Sequence, residues 1–116
     1  MPDSAPSAIV TATSPAQVPA APVINFVHFL DPKSLVATVN VALPEKDANG
    51  NLYPSAMEFA GVKIFFGPTG SLTPDSVPVV FTPSGPGTYL PGQVHEFEVT
   101  VPEWGASYDF EAEVSI

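Results

Sequence analysis

The sequence predicts an all-β fold in which two sheets pack as a sandwich. Its 116 residues suit one such domain. The 15 prolines are scattered through the whole length, and proline breaks helix interiors because it removes a backbone donor. Valine, phenylalanine and threonine supply residues that favour strands. Several short segments alternate between apolar and polar residues, with turn residues between them, as in a sandwich.

Six segments have the composition or the alternation of strands. The clearest is 107–116, where apolar residues at every second position predict one buried and one solvated face. Segment 77–82 contains Pro78, which predicts an edge strand. The predicted strands are residues 22–30, 34–43, 61–67, 77–82, 93–101 and 107–116.

The chain divides into a predicted arm, residues 1–21, and a predicted sandwich domain, residues 22–116. The arm is rich in alanine, proline and serine, and its larger apolar residues are Ile9, Val10 and Val18. It is expected to be flexible. Two interpretations stay open: an extended tail without a partner, or an arm that orders along a neighbouring subunit through the β-capable segment 9–13.

Charge and cysteine content exclude several classes of function. The chain has 12 acidic residues against 3 basic ones, a formal net charge of −9. Nucleic-acid binding needs cations that replace counterions on phosphate, so we expect no nucleic-acid partner, and an anionic membrane is disfavoured for the same reason. The chain has no cysteine, hence no disulfide or thiolate metal site. The N-terminal segment lacks the basic start and apolar run of a signal peptide.

One segment has part of the spacing of a calcium loop. Asp47, Asn49, Asn51 and Glu58 occupy positions 1, 3, 5 and 12 of such a loop. Position 6 is Leu52 rather than glycine, and an Asn-Gly turn explains the same residues. We therefore expect no metal and no cofactor, with these residues as a weak calcium candidate. The two histidines, His28 and His95, have no second ligand at a useful spacing.

No residue pattern predicts catalysis. Glu96 with Glu98, and Glu111 with Glu113, are pairs on the face of a strand, whereas glycoside chemistry needs two carboxylates across a cleft. No serine lies in a G-x-S-x-G turn or beside a histidine that could act as its base. We expect the protein not to be an enzyme.

Apolar residues on predicted outer faces suggest interfaces instead. Strict alternation places Phe65 opposite the core-facing residues of strand 61–67. In the first strand it places Val23, Val27 and Phe29 on one face and Ile24, Phe26 and Leu30 on the other. A sandwich strand needs only one apolar face, so a tail, a loop or another subunit is expected to cover the second. The interface candidates are Ile9, Val10, Phe26, Phe65, Glu111 and Glu113.

Several motifs resemble a fibronectin type III domain, an immunoglobulin-like sandwich, of the kind found in bacteriophage structural proteins and bacterial surface proteins. The resemblance covers about residues 22–116. The motifs are the first strand led by Pro22, the strand ending at Pro44, the loop Asp47-x-Asn49-Gly50, the segment GVKIFFG at 61–67 and the segment WGASYDF at 104–110. The last resembles the family's turn into its sixth strand and implies a tyrosine corner at Tyr108.

The sequence departs from the family in two ways. The second strand has no tryptophan, and the family's seventh strand would follow Ile116, where the sequence ends. Segment 107–116 is then expected to have an open edge. Three donors of an added strand stay open: the protein's own arm, a neighbour's arm, or a partner protein.

The resemblance, the arm and the absence of an export signal predict a structural component of a bacteriophage virion. It would be a capsid decoration, head-fibre or tail-associated protein, located in the virion as an oligomer or part of a larger assembly. Its partners would be other structural proteins, namely capsid or tail subunits. The alternative is a spacer or adhesion module of a larger bacterial surface or carbohydrate-active protein, located at the cell surface or outside the cell.

Overall fold

Six β-strands form two antiparallel sheets that pack face to face. The computed structural model describes residues 4–5, 8, 18–30, 34–54, 56–73 and 75–116. The strands are β1 (Val23–Phe29), β2 (Val36–Ala42), β3 (Gly61–Pro68), β4 (Val79–Phe81), β5 (Val94–Thr100) and β6 (Tyr108–Ser115). One sheet has the order β1-β2-β5 and the other the order β4-β3-β6. The predicted all-β, two-sheet fold is confirmed.

The strand bounds follow the sequence prediction closely. Each of the six strands lies within its predicted segment or passes it by one residue. The largest relative difference is at β4, which has half its predicted length, Val79–Phe81, because Pro78 has no amide to donate to a ladder. As predicted, β4 lies at the edge of its sheet. In the described ranges, no helix is long and apolar enough to span a membrane.

The core lies between the central strands of the two sheets. Ala37, Val39 and Val41 of β2 face Val62 and Ile64 of β3, and all five are fully buried. The long connection between β2 and β3 contributes Phe59, which packs edge-on against Tyr53 at a ring-centroid distance of 5.5 Å. This connection therefore fills part of the core as well as joining the sheets.

A β-bulge in β1 corrects the predicted faces of that strand. The register passes from Ile24 opposite Val41 to Phe26 opposite Asn40, so Asn25 is an extra residue. Strict alternation was wrong here, because the bulge brings Ile24 to the same inner side as Val27. The two apolar faces of the sequence thus become one inner row that contains Ile24 and Val27, and an outer face with Val23 and Phe26.

The sandwich has two ends and two sides, and only one of the sides is closed. At the Val23 end, β1 begins, and β2 and β6 end; at the opposite Tyr108 end, β6 begins. On the side between β4 and β5, Phe81 packs on Phe97 at 4.8 Å between ring centroids and closes the gap between the sheets. On the other side, between β1 and β6, the inward-facing side chains are only partly buried: Ile24, Val27, Phe110 and Ala112.

Candidate interaction surfaces

The side of the sandwich between β1 and β6 is a groove, called here the β1/β6 groove. Ala21, Pro22 and Ile24 line one wall, and residues 110–113 of β6 line the other. In a closed sandwich a side chain such as Phe110 would be covered on both sides. Here β6 pairs only with β3 among the described strands, so its second edge is open. For the residues that the structure describes, β6 thus has the open edge predicted for segment 107–116.

Residues 18–22 cover only the Val23 end of this groove. They lie beside Ala112, Glu113 and Val114 at the end of β6. The chain is held there by the loop after β2, because the Ala48 amide donates to Val18 O at 2.8 Å and Pro19 bridges to Asp47. The rest of the groove, toward the Tyr108 end, is left without such a cover by the described residues.

The outer face of the β4-β3-β6 sheet brings together three of the predicted interface residues. Phe65 is the register partner of Glu111, and both line a shallow depression with Leu72, Thr73 and Glu113. Phe65 lies on the outer face, as predicted, but it is half-buried. The loop after β3 explains this burial, because it folds back over the sheet and its Gly70 amide donates to Asp109 Oδ2 at 2.8 Å.

The outer face of the β1-β2-β5 sheet carries several exposed apolar side chains. Register pairs Val23 with Ala42 and Ala42 with Val94, so these three residues form a row across the sheet. Val23 is 59% exposed, Val94 is 55% exposed and the neighbouring Phe26 is 52% exposed. We call Val23, Phe26, Ala42 and Val94 the apolar row.

Sequence reasoning selected only Phe26 from the apolar row. Phe26 lies on the opposite sheet from Phe65, Glu111 and Glu113, so the structure does not bring these candidates to one surface. A signal for the others was present, because Val94 is an apolar residue on the polar face of β5, next to Glu96 and Glu98. Ile9 and Val10 lie outside the described residues.

The calcium candidates have structural roles in different loops. Asp47 is buried, and its Oδ1 accepts the amides of Asn49 at 2.9 Å and Asn51 at 3.0 Å, which closes the turn at this position. Glu58 instead accepts the amide of Gly87, in the loop before β5. Across the described residues, no group of three or more histidine, aspartate or glutamate side chains could hold a metal ion.

The histidines and the glutamate pairs are also separated. His95 faces inward, where its Nε2 lies 2.9 Å from Gln93 Oε1 and its ring meets Tyr89 edge-on at 5.2 Å. His28 lies on the outer face opposite Thr38. Glu96 and Glu98 are on the outer face of one sheet, whereas Glu111 and Glu113 are on the outer face of the other. The two pairs therefore do not face each other across a cleft.

The Tyr108 end carries a tyrosine corner and an aromatic depression. The Tyr108 hydroxyl donates to Glu103 O at 3.1 Å and accepts the Glu103 amide at 3.0 Å, which fixes the turn into β6. The tyrosine corner implied by the resemblance is thus present. Trp104, which is 69% exposed, lines a depression together with Phe29 and Tyr108.

Two tyrosines have raised pKa values. Burial, and secondarily the charge of Asp47, raises the pKa of the Tyr53 hydroxyl above its ordinary value of 10.0. Burial alone raises the pKa of Tyr89. The Tyr53 hydroxyl is buried, and it has no hydrogen-bond partner among the described residues. Both shifts favour the neutral phenol and give neither residue the character of a base near neutral pH.

Comparisons with known proteins identify no relative. No protein-family model matches the chain. No curated protein and no solved structure matches it either. Its function is therefore inferred from its own residues and geometry.

Proposed function

We propose that the protein is a non-enzymatic structural protein that acts through protein–protein contacts, most specifically as a component of a bacteriophage virion. Capsid decoration, a head fibre or a tail-associated position all fit this role. The partners are then capsid or tail subunits. The apolar row on the β1-β2-β5 sheet is the observation that carries the proposal.

The apolar row has the character of a contact surface. An antiparallel sheet with one face in water normally alternates apolar residues inside with polar residues outside. Val23 and Val94 break this alternation at the same end of β1 and β5, the two strands that flank β2, and Phe26 extends the exposed apolar surface along β1. Contiguous apolar patches rimmed by polar residues mark interaction sites in soluble proteins. Glu96, beside Phe26 across β2, provides a polar rim.

Three features support a fibronectin type III-like domain as the scaffold. The chain forms two facing antiparallel sheets, the sixth strand pairs with the third, and Tyr108 forms a tyrosine corner at the turn into the sixth strand. Domains of this kind are found in bacteriophage structural proteins. That association makes the virion the favoured location. The acidic surface, on which no residue pattern predicts catalysis, agrees with it.

Particle composition tests the location. Phage particles from the strain that encodes the chain should be banded by density and digested with a glutamate-specific protease, since the chain has only 3 basic residues for trypsin. Peptides of the chain are expected at a constant ratio to the major capsid protein across the band. Detection only in fractions free of particles would contradict the proposed function.

Rebinding to depleted particles tests the apolar row. The double variant Phe26→Ser, Val94→Ser is expected to rebind at least tenfold more weakly, because truncating central apolar anchors costs on the order of 1–2 kcal/mol each. Val77→Ser is the matched control, since Val77 is 88% exposed but lies outside the strands. Equal rebinding of the double variant would show that another surface makes the contact.

A second candidate function is a spacer or adhesion module of a larger bacterial surface or carbohydrate-active protein. The depression lined by Phe29, Trp104 and Tyr108 favours it, because exposed aromatic rings offer apolar faces to ligands. Affinity electrophoresis in gels containing bacterial polysaccharides would detect such binding as retarded migration that Trp104→Ala abolishes. Unretarded migration in every gel would remove this candidate.

A further inference from the structure

We infer that the open edge of β6 accepts a β-strand formed by residues 7–14 of a second copy of this chain. This inference deepens the proposed function, since it rests on the protein acting through protein contacts. The receiving site is the β1/β6 groove. The donated segment precedes Val18, where the first long described range of the chain, 18–30, begins.

The backbone of β6 is suited to receive a strand. The Thr69 amide donates to Ser107 O at 3.1 Å, which continues the register of β3 and β6. Bonded and non-bonded residues alternate along an antiparallel strand. The odd-numbered residues of β6 therefore bond to β3, while Phe110, Ala112 and Val114 direct N–H and C=O groups to the open side. In the described part of the chain, no further strand pairs with these groups.

The groove also offers apolar surface. Phe110 and Ala112 point inward from β6 but are only partly buried. Ile24, across the groove, is also partly buried. On the opposite side of the sandwich the gap between the sheets is closed, because the ring centroids of Phe81 and Phe97 lie 4.8 Å apart there. A strand added to β6 would cover the three partly buried side chains, so backbone pairing and apolar burial favour the same position.

The charge of the edge selects the donor. Glu111 and Glu113 are exposed on the outer face of β6, and Asp109 lies on the same face. These acids repel a second β6 strand laid alongside. Residues 4–18 contain no charged side chain, so the arm escapes this repulsion. Its longest stretch without proline is 7–14, and its eight residues match the eight residues of β6.

The position of Val18 favours a donor from another copy over the chain's own arm. Val18 lies beside the C-terminal part of β6 and is bonded to Ala48, so a chain approaching it along β6 would run parallel to that strand. Parallel pairing is slightly less stable than antiparallel pairing. An arm from a second copy is not tied to this Val18 position and can pair antiparallel. Each copy then donates one strand and accepts one, either reciprocally in a dimer or head-to-tail along a series of copies.

A labelled peptide of residues 4–17 tests the inference on a receiver that lacks residues 1–14. Fluorescence anisotropy should show saturable binding. The receiver with Ala112→Pro should bind at least tenfold more weakly, because proline removes an amide that faces the open edge but no bond to β3. Ala112→Ser keeps that amide and is the matched control. The full chain should associate with rising concentration in sedimentation velocity, and the deletion variant should not.

Two N-methylated peptides test the inference without changing the protein. One carries N-methyl groups at Ile9 and Thr11, the other at Val10 and Ala12. Only one edge of an added strand bonds to β6, so one peptide should bind like the parent and the other should fail. Equal behaviour of the two peptides, or no binding of the parent, would overturn the inference.

A further outcome separates the two sources of the arm. If amides 110–114 exchange faster in the deletion variant than in full-length protein held at a concentration where it is monomeric, the chain's own arm fills the edge and the inference is overturned. None of these outcomes depends on the apolar row. The particle composition and rebinding experiments therefore judge the proposed function separately.

Discussion

Tyr53 and Tyr108 place the same phenol group in opposite situations. The Tyr53 hydroxyl is buried beside the Asp47 turn, and in the described part of the chain it has no hydrogen-bond partner. The Tyr108 hydroxyl makes two hydrogen bonds to the backbone of Glu103. Burying an unpaired hydroxyl costs free energy, whereas a paired one contributes to stability. Tyrosine-to-phenylalanine substitution at the two positions therefore has opposite expected effects.

Tyr53→Phe is expected to raise the free energy of unfolding at pH 7 by about 1 kcal/mol, since it removes an unpaired buried hydroxyl. The raised pKa of Tyr53 adds a pH dependence. The unfolded chain ionises this phenol first, so its contribution to stability is present below about pH 10 and is lost as pH rises through the folded pKa. Urea unfolding between pH 7 and 11 should show a weaker alkaline loss in the variant. A loss of stability at pH 7 would contradict the unpaired state.

Tyr108→Phe is expected to lower the free energy of unfolding by about 1 kcal/mol, because the Glu103 backbone loses both bonds to the hydroxyl. Urea unfolding at pH 7 measures the change, with Tyr53→Phe as the control for substitution itself. An unchanged midpoint would show that the tyrosine corner does not stabilise the turn into β6.

At the scale of elements, strand identity could be predicted from local sequence, but cross-strand features could not. β6 was predicted well because its alternation is uninterrupted from Tyr108 to Ser115. β1 was misread at Asn25, because a bulge is visible only in the register with β2. The apolar row was largely missed for the same reason, since Val23, Ala42 and Val94 become neighbours only through pairing. Among the candidate residues, Phe65 was placed on the correct face, but the loop that half-buries it was not foreseen.

The open β1/β6 groove predicts an order of amide exchange among the strands. In a variant lacking residues 1–14, β2 should exchange most slowly, because it is the central strand of its sheet and five of its seven residues are buried. The even-numbered amides of β6 should exchange faster than the odd-numbered ones, which bond to β3. NMR-detected hydrogen exchange resolves these sites. Equal protection along β6 would contradict the open edge.

At the scale of the whole molecule, the surfaces are distributed over separate sides of the sandwich. The apolar row lies on the outer face of one sheet, the Phe65 depression on the outer face of the other, and the groove between them at β1 and β6. Under the two proposals, the molecule contacts a particle through one face and a neighbouring copy through an edge. Its net charge of −9 opposes non-specific association of the remaining surface.

Trp104 is an intrinsic fluorescent probe that reports on only one end of the molecule. It is the only tryptophan in the chain, and it is exposed at the Tyr108 end. The apolar row begins at the other end of the sandwich, across the length of β5. Tryptophan fluorescence is therefore expected to respond to changes near the turn into β6. It is expected to change little when a partner binds at Val23 and Val94. An emission spectrum that stays unchanged during a titration therefore does not exclude a partner bound at the apolar row, far from the Trp104 indole.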